Sequence, residues 1–481
     1  MSTNTSKTKI LGYLFILILI FSGFYLRYLN IFLEDYWIDE MIGFAQADPN
    51  LSLRETFLLI YNPDTWDKSD QTPIAFHLLL KYIYKFFGYN PDYGRIFTLF
   101  LGTAVIPFSF LIAREINIKE SSFLLCFLIC SNIYFINYSQ EVRPYILLLL
   151  ISILNIWLFL KTANNLKDRQ RFFILGFIFV LVNVLGFLTH PFFLIIIASE
   201  ILYCFINIIY SKKNFKKLIY ILILSSFFCI LIQYRYIINL IYLPSFWLEN
   251  QSIIFIMDLF FPRFFGSKIM GLIYLLTFII LFFIFRKKVF SLKNHYLFFA
   301  IIIFFSYTLP IIYGILRMPV LHDRYIIFIL IPILTLISAL IYEIKNPNYK
   351  KITILILVLA NISHLYYELN NKTLYKPEVN KILESINNTS TNEFTRNIYI
   401  DKKTNPPNFR NYVMRTRNFL HNNFKILKDT KSLNDKGFWL ICYSGNNGLN
   451  CPDSNIEGKF KSEITLRKKR IIAEYIKNIE N

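Results

Sequence analysis

The chain has 481 residues, of which 55% are hydrophobic and only 17% are charged. Soluble globular domains contain about 25% charged residues, so a water-soluble chain of this composition would expose large apolar patches. The composition excludes a soluble fold for most of the chain and indicates that lipid is its main solvent. The net charge of +20 has no meaning until it is located, because basic residues serve nucleic acids, anionic lipids or membrane topology.

Runs of apolar residues recur along the chain at the length of about 20 residues that a helix needs to cross a membrane. We predict eleven spans, and we expect the first to be a retained anchor because no small-residue cleavage site follows it. The predicted spans are 10–30, 92–113, 120–137, 143–160, 172–189, 191–210, 218–238, 269–285, 295–314, 325–342 and 352–367.

The polar segments between these spans predict the orientation, because short cytoplasmic loops collect Lys and Arg. One alternating set holds 19 Lys and Arg residues against four acidic residues. We therefore predict a cytoplasmic N-terminus and a tail outside the cytoplasmic membrane. Since topology explains much of the basicity, we predict membrane lipid as a partner and no nucleic acid. The basic set is the N-terminus, 114–120, 161–171, 211–217, 286–293 and 343–351.

Two predicted outer segments are too long to be simple connections. The first, 31–91, contains an apolar piece, Thr72–Gly88, that carries Lys81. We predict that this piece is a helix lying in the outer interface, where Lys can extend its amine to water. The second, 239–268, is rich in aromatic residues and is predicted to be an interfacial loop.

The composition becomes polar towards the C-terminus. We predict a transmembrane domain over 1–367 and a small soluble α/β-like outer domain over 368–481. Strand-like pieces lie at Asn397–Ile400 and Gly437–Tyr443, and an amphipathic helical piece lies near Asn408–His421.

Two of the six cysteines differ from the rest in their setting. Cys442 and Cys451 lie in the predicted outer domain, around a glycine-containing loop, where an oxidising compartment permits a disulfide. The other four lie in predicted spans and are expected to act as small apolar residues.

The strongest candidate for chemistry is the run Tyr36–Glu40 directly after the first span. Asp39 and Glu40 stand between Trp37 and an apolar continuation. A carboxylate in an apolar frame accepts a proton more readily than one in water, which suits proton abstraction. The alternative is a solvated polar loop start.

Two further polar groups fall at predicted outer membrane ends. Tyr138, Glu141 and Arg143 form one, and Arg324 with Tyr325 belongs to the other. Arginine binds phosphate through paired hydrogen bonds, so we nominate both arginines for a lipid phosphate. A solvated corner and an interfacial anchor are the respective alternatives.

Two weaker candidates complete the predicted substrate-binding set. His190 lies at the outer junction of two spans, where it either contacts a sugar or forms a structural turn. Lys81 and His77 are four residues apart and share one face of a helix; they either line an acceptor groove or contact headgroups.

Four motifs in this order, with this topology, resemble the polyprenyl-phosphate-sugar-dependent GT-C glycosyltransferases. Within that group, residues 10–345 are most similar to the bacterial branch related to protein O-mannosyltransferases and to the lipid A aminoarabinose transferase. The motifs are Trp37–Glu40, Gln71–Ile74 leading through Phe87–Gly88 to Arg95, Tyr138–Tyr145, and Asp323–Tyr325 with Pro332.

The resemblance implies a polytopic α-helical GT-C-like fold and an inverting transfer. Asp39 then acts as catalytic base on the acceptor, with Glu40 beside it, and Arg143 and Arg324 neutralise the leaving phosphate.

The chain departs from the aminoarabinose transferase at Gln71–Pro73, where that family has a basic residue before Pro-Pro. Its phosphate contact must therefore come from elsewhere, and Lys68, Lys81 and Lys85 are equal candidates. We expect no cofactor and favour metal-independent action over the divalent metal that some members of this group use, because Asp39 and Glu40 alone make a poor divalent site.

The predicted partners are a polyprenyl-phosphate sugar donor and a glycan, lipid or protein acceptor at the outer face. An outer-face glycan polymerase or ligase is one alternative. A lipid-linked glycan transporter, or flippase, is another, although it would carry polar residues along its spans rather than at one face.

Overall fold

The structure is a computed structural model. It describes residues 2–481 except 63–71, 119–120, 212–214, 243–247, 249–250, 293–294, 373–375, 377, 390–396, 401–423, 427–436, 444–450, 452–459, 469–470 and 479–481. The predicted helix at Asn408–His421 and Lys68, a candidate for the phosphate contact, lie outside the described residues.

Most of the described chain is helical. The first ten helices are α1 (Ser2–Tyr28), α2 (Ile38–Gln46), α3 (Leu53–Tyr61), α4 (Ala75–Phe87), α5 (Pro91–Glu115), α6 (Ser122–Ser131), α7 (Ile133–Ser139), α8 (Pro144–Asn164), α9 (Arg169–Thr189) and α10 (Leu194–Ser211). The remaining helices are α11 (Lys216–Tyr242), α12 (Ile253–Asp258), α13 (Phe261–Phe264), α14 (Lys268–Ile284), α15 (Arg286–Val289), α16 (Tyr296–Leu316), α17 (Leu330–Tyr342), α18 (Pro347–Asn370) and α19 (Val379–Thr389). Two 3-10 turns, Pro191–Phe193 and Asp323–Ile329, precede α10 and α17.

Eight of the described helices are long and apolar enough to cross a membrane, and α6 with α7 makes a ninth if this bent pair is one span. Shorter apolar helices lie at Gly12–Tyr28 and at α14. Each of these elements coincides in sequence with one of the predicted spans, which confirms a multi-pass helical membrane protein. The count of eleven stays a prediction. The helix predicted in 72–88 is present as α4, whose 13 residues are too few to cross a membrane.

Buried amides link three of the spans. The Asn155 side chain on α8 donates to Asn183 Oδ1 on α9 at 2.7 Å, and the Asn183 amide donates to Ser225 Oγ on α11 at 3.2 Å. Ser225 in turn donates to the carbonyl of Ile221 at 2.8 Å. Such polar contacts hold helices together in lipid, where packing gains no hydrophobic driving force.

The span predicted at 120–137 is broken in two. The axes of α6 and α7 differ by 56°, and Asn132 caps the second helix by accepting the Phe135 N–H at 2.9 Å. A broken helix leaves backbone carbonyls without their usual partners, which is costly where water is absent.

A fully buried arginine, Arg27 near the end of α1, supplies the missing donors. Its Nη1 donates to the carbonyl of Cys130 at 3.4 Å and its Nη2 to that of Ile129 at 3.5 Å. Its Nε donates to Ser139 Oγ on α7 at 3.2 Å. Arg27 therefore contacts both sides of the break.

Glycine provides the space for this arrangement. A Cβ atom at Gly102 on α5 would overlap Ser139 Oγ, and one at Gly23 on α1 would lie 3.2 Å from Arg27 Nη1. The Gly23 Cβ would also overlap Ile106 Cδ1, so a larger residue at either position would displace a neighbouring side chain.

A five-stranded sheet lies in the C-terminal part, in the order β2-β1-β3-β5-β4. β1 pairs in parallel with β2 and β3, whereas β5 is antiparallel to β3 and β4. The predicted strands at 397–400 and 437–443 are confirmed as β1 and β3. The strands are β1 (Ile398–Ile400), β2 (Phe424–Ile426), β3 (Gly437–Tyr443), β4 (Phe460–Lys468) and β5 (Ile471–Asn478).

Cys442 and Cys451 form a disulfide. Cys442 on β3 is joined to Cys451, with Cα atoms 5.6 Å apart. Both are buried with Tyr399, Phe438 and Ile472 in the core of the sheet domain. The bond that the sequence allowed is confirmed.

The chain divides into two compact units. The helical unit comprises 1–29, 72–76 and 95–372, and the second unit comprises 30–71, 77–94 and 373–481. The grouping of the first long segment with the C-terminal residues was not expected from the sequence.

We expect Arg27→Met to destabilise the protein, because it leaves the carbonyls at the α6–α7 break and Ser139 without their donor. The cost is about 1–3 kcal/mol of unfolding free energy for each buried group left unsatisfied. Thermal unfolding of the purified protein in detergent measures it. Arg114→Met, which changes an exposed arginine at the end of α5, is the control and should leave Tm nearly unchanged; equal Tm values for the two variants would contradict the role of Arg27.

Candidate functional site

An acidic turn opens α2 in the second unit. Glu40 is buried, with 1% of its surface exposed, and its Oε2 accepts the backbone N–H of Trp37 at 3.2 Å. The same oxygen lies 2.9 Å from Nζ of Lys376. The Glu40 carboxylate is therefore held by a helix-capping bond and by an ion pair removed from water.

Asp39 precedes Glu40 in the same turn but is only half-buried. Acidic side chains in the first turn are stabilised by the helix dipole. Of the two adjacent acidic residues, Asp39 is the more exposed.

Hydrogen bonds and ring contacts of aromatic residues hold this turn and the helix that follows it. Tyr36 donates its hydroxyl to Asp92 Oδ1 at 2.5 Å. The ring of Phe44 on α2 stacks on Tyr89 at 4.1 Å between centroids, and the Tyr89 hydroxyl donates to the Phe44 carbonyl at 3.0 Å. These bonds fix the position of α2 within its unit.

Lys81 on α4 holds the chain between α2 and α3. Its amine donates to the carbonyls of Asp48 and Leu51, and burial lowers the pKa of Lys81. Two of its three N–H donors are thus used inside the unit. A substrate contact for Lys81 stays a prediction.

The second cluster lies in the helical unit, where two guanidinium groups flank one ring. Arg143 lies 5.3 Å from the centroid of Tyr145 and Arg324 lies 5.4 Å from it. Arg143 also donates to the Tyr145 hydroxyl at 3.1 Å. Both arginines are largely buried, at 4% and 9% exposure. Two cations concentrated in a nearly dry site favour an anion strongly.

A carboxylate fixes the backbone that carries Arg324. Asp323 accepts from Arg263 Nη1 on α13 at 3.2 Å and from the Tyr134 hydroxyl on α7 at 3.2 Å, and it also pairs with His322. Asp323 therefore connects α7, α13 and its own 3-10 turn, and the contacts of this first residue of the Asp323–Tyr325 motif are structural. The sequence showed Arg263 only as one polar residue in an aromatic loop.

Aromatic rings surround the arginine pair. Tyr325 lies 5.0 Å from His190, 5.9 Å from Tyr145 and 5.4 Å from Phe192, measured between centroids. Tyr138 contacts Tyr145 edge-on at 5.7 Å. The structure thus brings together five predicted site residues, and these are Arg143, Arg324, Tyr138, His190 and Tyr325.

The sixth predicted residue of this region, Glu141, is half-buried in the α7–α8 corner. Its carbonyl accepts the Arg143 N–H at 2.8 Å, which shapes the corner. The preceding Gln140 donates to the carbonyls of Arg27 at 2.9 Å and Leu29 at 2.6 Å. Gln140 and Arg27 were not singled out from the sequence.

Among the described residues, no group of three or more His, Cys, Asp or Glu side chains is arranged to hold a metal ion. Metal-independent action stays a prediction.

Solved structures with a similar fold exist, although no protein-family model and no curated protein matches the chain. ArnT from Cupriavidus metallidurans in the apo state has a TM-score of 0.61 at 12% identity, with 98% of each chain covered. ArnT bound to undecaprenyl phosphate has a TM-score of 0.56 at 11% identity, with 96% of this chain and 97% of ArnT covered.

A second neighbour is the oligosaccharyltransferase of Archaeoglobus fulgidus in complex with Zn and sulfate. Its TM-score is 0.53 at 11% identity, with 89% of this chain and 67% of the neighbour covered. Identities this low establish the fold alone. The chain is therefore a multi-pass membrane protein with the fold of the GT-C glycosyltransferases.

Proposed function

We propose that the protein is an integral-membrane glycosyltransferase. It transfers a sugar from a polyprenyl-phosphate donor to a glycan, lipid or protein acceptor at the outer face of the cytoplasmic membrane. The observation that carries the proposal is the buried arginine pair on Tyr145, which suits a phosphate on a lipid. The neighbour bound to undecaprenyl phosphate supports the same ligand class.

The proposed reaction is an inverting displacement at the anomeric carbon. The acceptor oxygen attacks this carbon, its proton passes to the carboxylate of Asp39, and the bond from the carbon to the phosphate oxygen breaks. The phosphate leaves with the bonding electrons and remains attached to its lipid. Arg143 and Arg324 stabilise the negative charge that develops on it, which is a large term in such reactions.

The aromatic residues around the pair suit the rest of the donor. The rings of Tyr138, His190 and Tyr325 offer apolar faces to a sugar and polar atoms to its hydroxyl groups. Glu141 and Lys81 are proposed as weaker substrate contacts. A glycan polymerase or ligase uses similar chemistry with a longer donor, so the length of the transferred glycan separates it from a single-sugar transferase.

The proposal predicts that Asp39→Asn lowers the transfer rate by about 10²–10⁴-fold, the usual contribution of a general base. The assay uses membranes containing the protein and a panel of labelled undecaprenyl-phosphate pentoses and hexoses. Asp35→Asn, a neighbouring half-buried acid, is the control and should retain the rate. Full activity of the Asp39 variant would reject Asp39 as the base. If the protein is a transporter, neither the wild type nor any variant should transfer sugar.

The arginine pair predicts weaker binding of lipid phosphate when either member is lost. Arg143→Met and Arg324→Met should each weaken undecaprenyl phosphate binding by roughly 10-fold or more, since hydrogen bonds to charged groups contribute about 1.5–3 kcal/mol. Native mass spectrometry or calorimetry measures this affinity. Arg235→Met, an exposed arginine on α11, should bind normally. Equal affinity for undecaprenol would show that the phosphate is not what these residues bind.

The outer location of the C-terminal residues is part of the proposal, and the buried disulfide supports it because such bonds persist in oxidising compartments. We expect a membrane-impermeant maleimide to label Asn371→Cys in intact cells. Lys287→Cys, at an exposed position in a predicted cytoplasmic segment, should react only after the membrane is opened. The reverse pattern would invert the proposed orientation.

A further inference from the structure

We propose that Lys376 is a positioning residue, which holds Glu40 and thereby sets the first turn of α2 that carries Asp39. This inference rests on the proposed function for Asp39. It gives the residues after α18 a part in catalysis, in addition to any contact that they make with an acceptor.

The ion pair between Lys376 and Glu40 is buried. The Lys376 side chain is 10% exposed and that of Glu40 is 0% exposed, with the charged atoms 2.9 Å apart. Charged groups lose their hydration when they are buried, so removal of one partner strands the other in a poor solvent. Loss of one partner from a solvent-exposed lysine–carboxylate pair would cost little, because water would hydrate the remaining charge.

The attachment has a second point. The backbone N–H of Lys376 donates to Glu34 Oε1 at 3.4 Å, just before α2. Main chain and side chain of one residue thus contact both the approach to α2 and its first turn. This geometry restrains the turn as a whole rather than one side chain.

The contacts also divide the work of the two adjacent carboxyl groups. Glu40 Oε2 already accepts from the Trp37 N–H and from Lys376, so this oxygen is used in contacts that hold the turn. Asp39 is half-buried, and its backbone belongs to the same helical turn as that of Glu40. We therefore assign the reactive role to Asp39 and a positioning role to Glu40.

The charge balance of this turn makes the proposal testable through pH. Lys376→Met removes a positive charge from this turn and Glu40→Gln removes a negative one, so the two variants should move the acidic limb of a pH–rate profile in opposite directions. The other charged groups on neighbouring segments of this unit stay the same in every variant, and they include Glu34, Asp35, Asp48, Lys81, Asp92 and Lys381.

The experiment compares Lys376→Met, Glu40→Gln and the double variant in full-length protein, using the transfer assay with undecaprenyl-phosphate sugars. We expect each single variant to lower kcat by at least 10-fold with little change in KM for the donor. The acidic limb of the pH–rate profile should move up by roughly 1 pH unit in Lys376→Met and down in Glu40→Gln. In the double variant, the limb should return and the kcat loss should be no larger than in either single variant.

Lys381→Met is the matched control, because Lys381 pairs with Glu378 in an exposed setting, with 52% of its side chain accessible. It should retain wild-type kcat. If Lys376→Met does not fold, the double variant replaces it in the comparison with Glu40→Gln, because it removes both charges of the buried pair. Lys376→Arg, which keeps the positive charge, should retain most of the activity.

Several results would overturn the proposal. These are full kcat in Lys376→Met, a lowered kcat without any movement of the acidic limb, or independent losses that multiply in the double variant. The proposed function fails separately, if Asp39→Asn transfers sugar as well as wild type. An inactive Asp39 variant beside a fully active Lys376 variant would therefore reject this inference and leave the transferase standing.

Discussion

The layout of the helical unit depends on one buried cation. A helix cannot break inside a membrane unless its freed carbonyl groups find donors, since hydrocarbon offers none. Arg27 supplies them to Ile129 and Cys130 and reaches Ser139 on the far side of the break. Because α7 leads into the corner that carries Arg143, the buried arginine on α1 supports the helix that positions the arginine we propose for the lipid phosphate.

Much of this architecture could be predicted from the sequence, because hydropathy and topology act on long windows. Each apolar element has a predicted span at its position, and β3 matches a short apolar piece rich in aromatic residues that is buried along its whole length. Arg143, Arg324 and Tyr325 could be singled out because charged and aromatic residues are scarce in lipid and therefore informative where they occur. All three were predicted to lie at the outer face of the membrane, which indicated that they form one cluster.

The parts that were not predicted depend on single side chains far apart in sequence. The break at Asn132 leaves no mark on average hydropathy, so 120–137 resembled one continuous span. Arg27 was hidden as an ordinary charge at the end of a helix, where basic residues are expected. Lys376 lies among many other lysines of the C-terminal segment, and only the folded chain shows that it reaches Glu40.

The pairing of Glu40 with Lys376 also has a consequence for biosynthesis. The two residues are 336 positions apart, and chains grow at about 5–20 residues per second. During synthesis, Glu40 emerges tens of seconds before its partner exists. The acidic turn therefore gains its contact with Lys376 only after α18 has been made, so a nascent chain carries Asp39 early but completes the surroundings of that residue late.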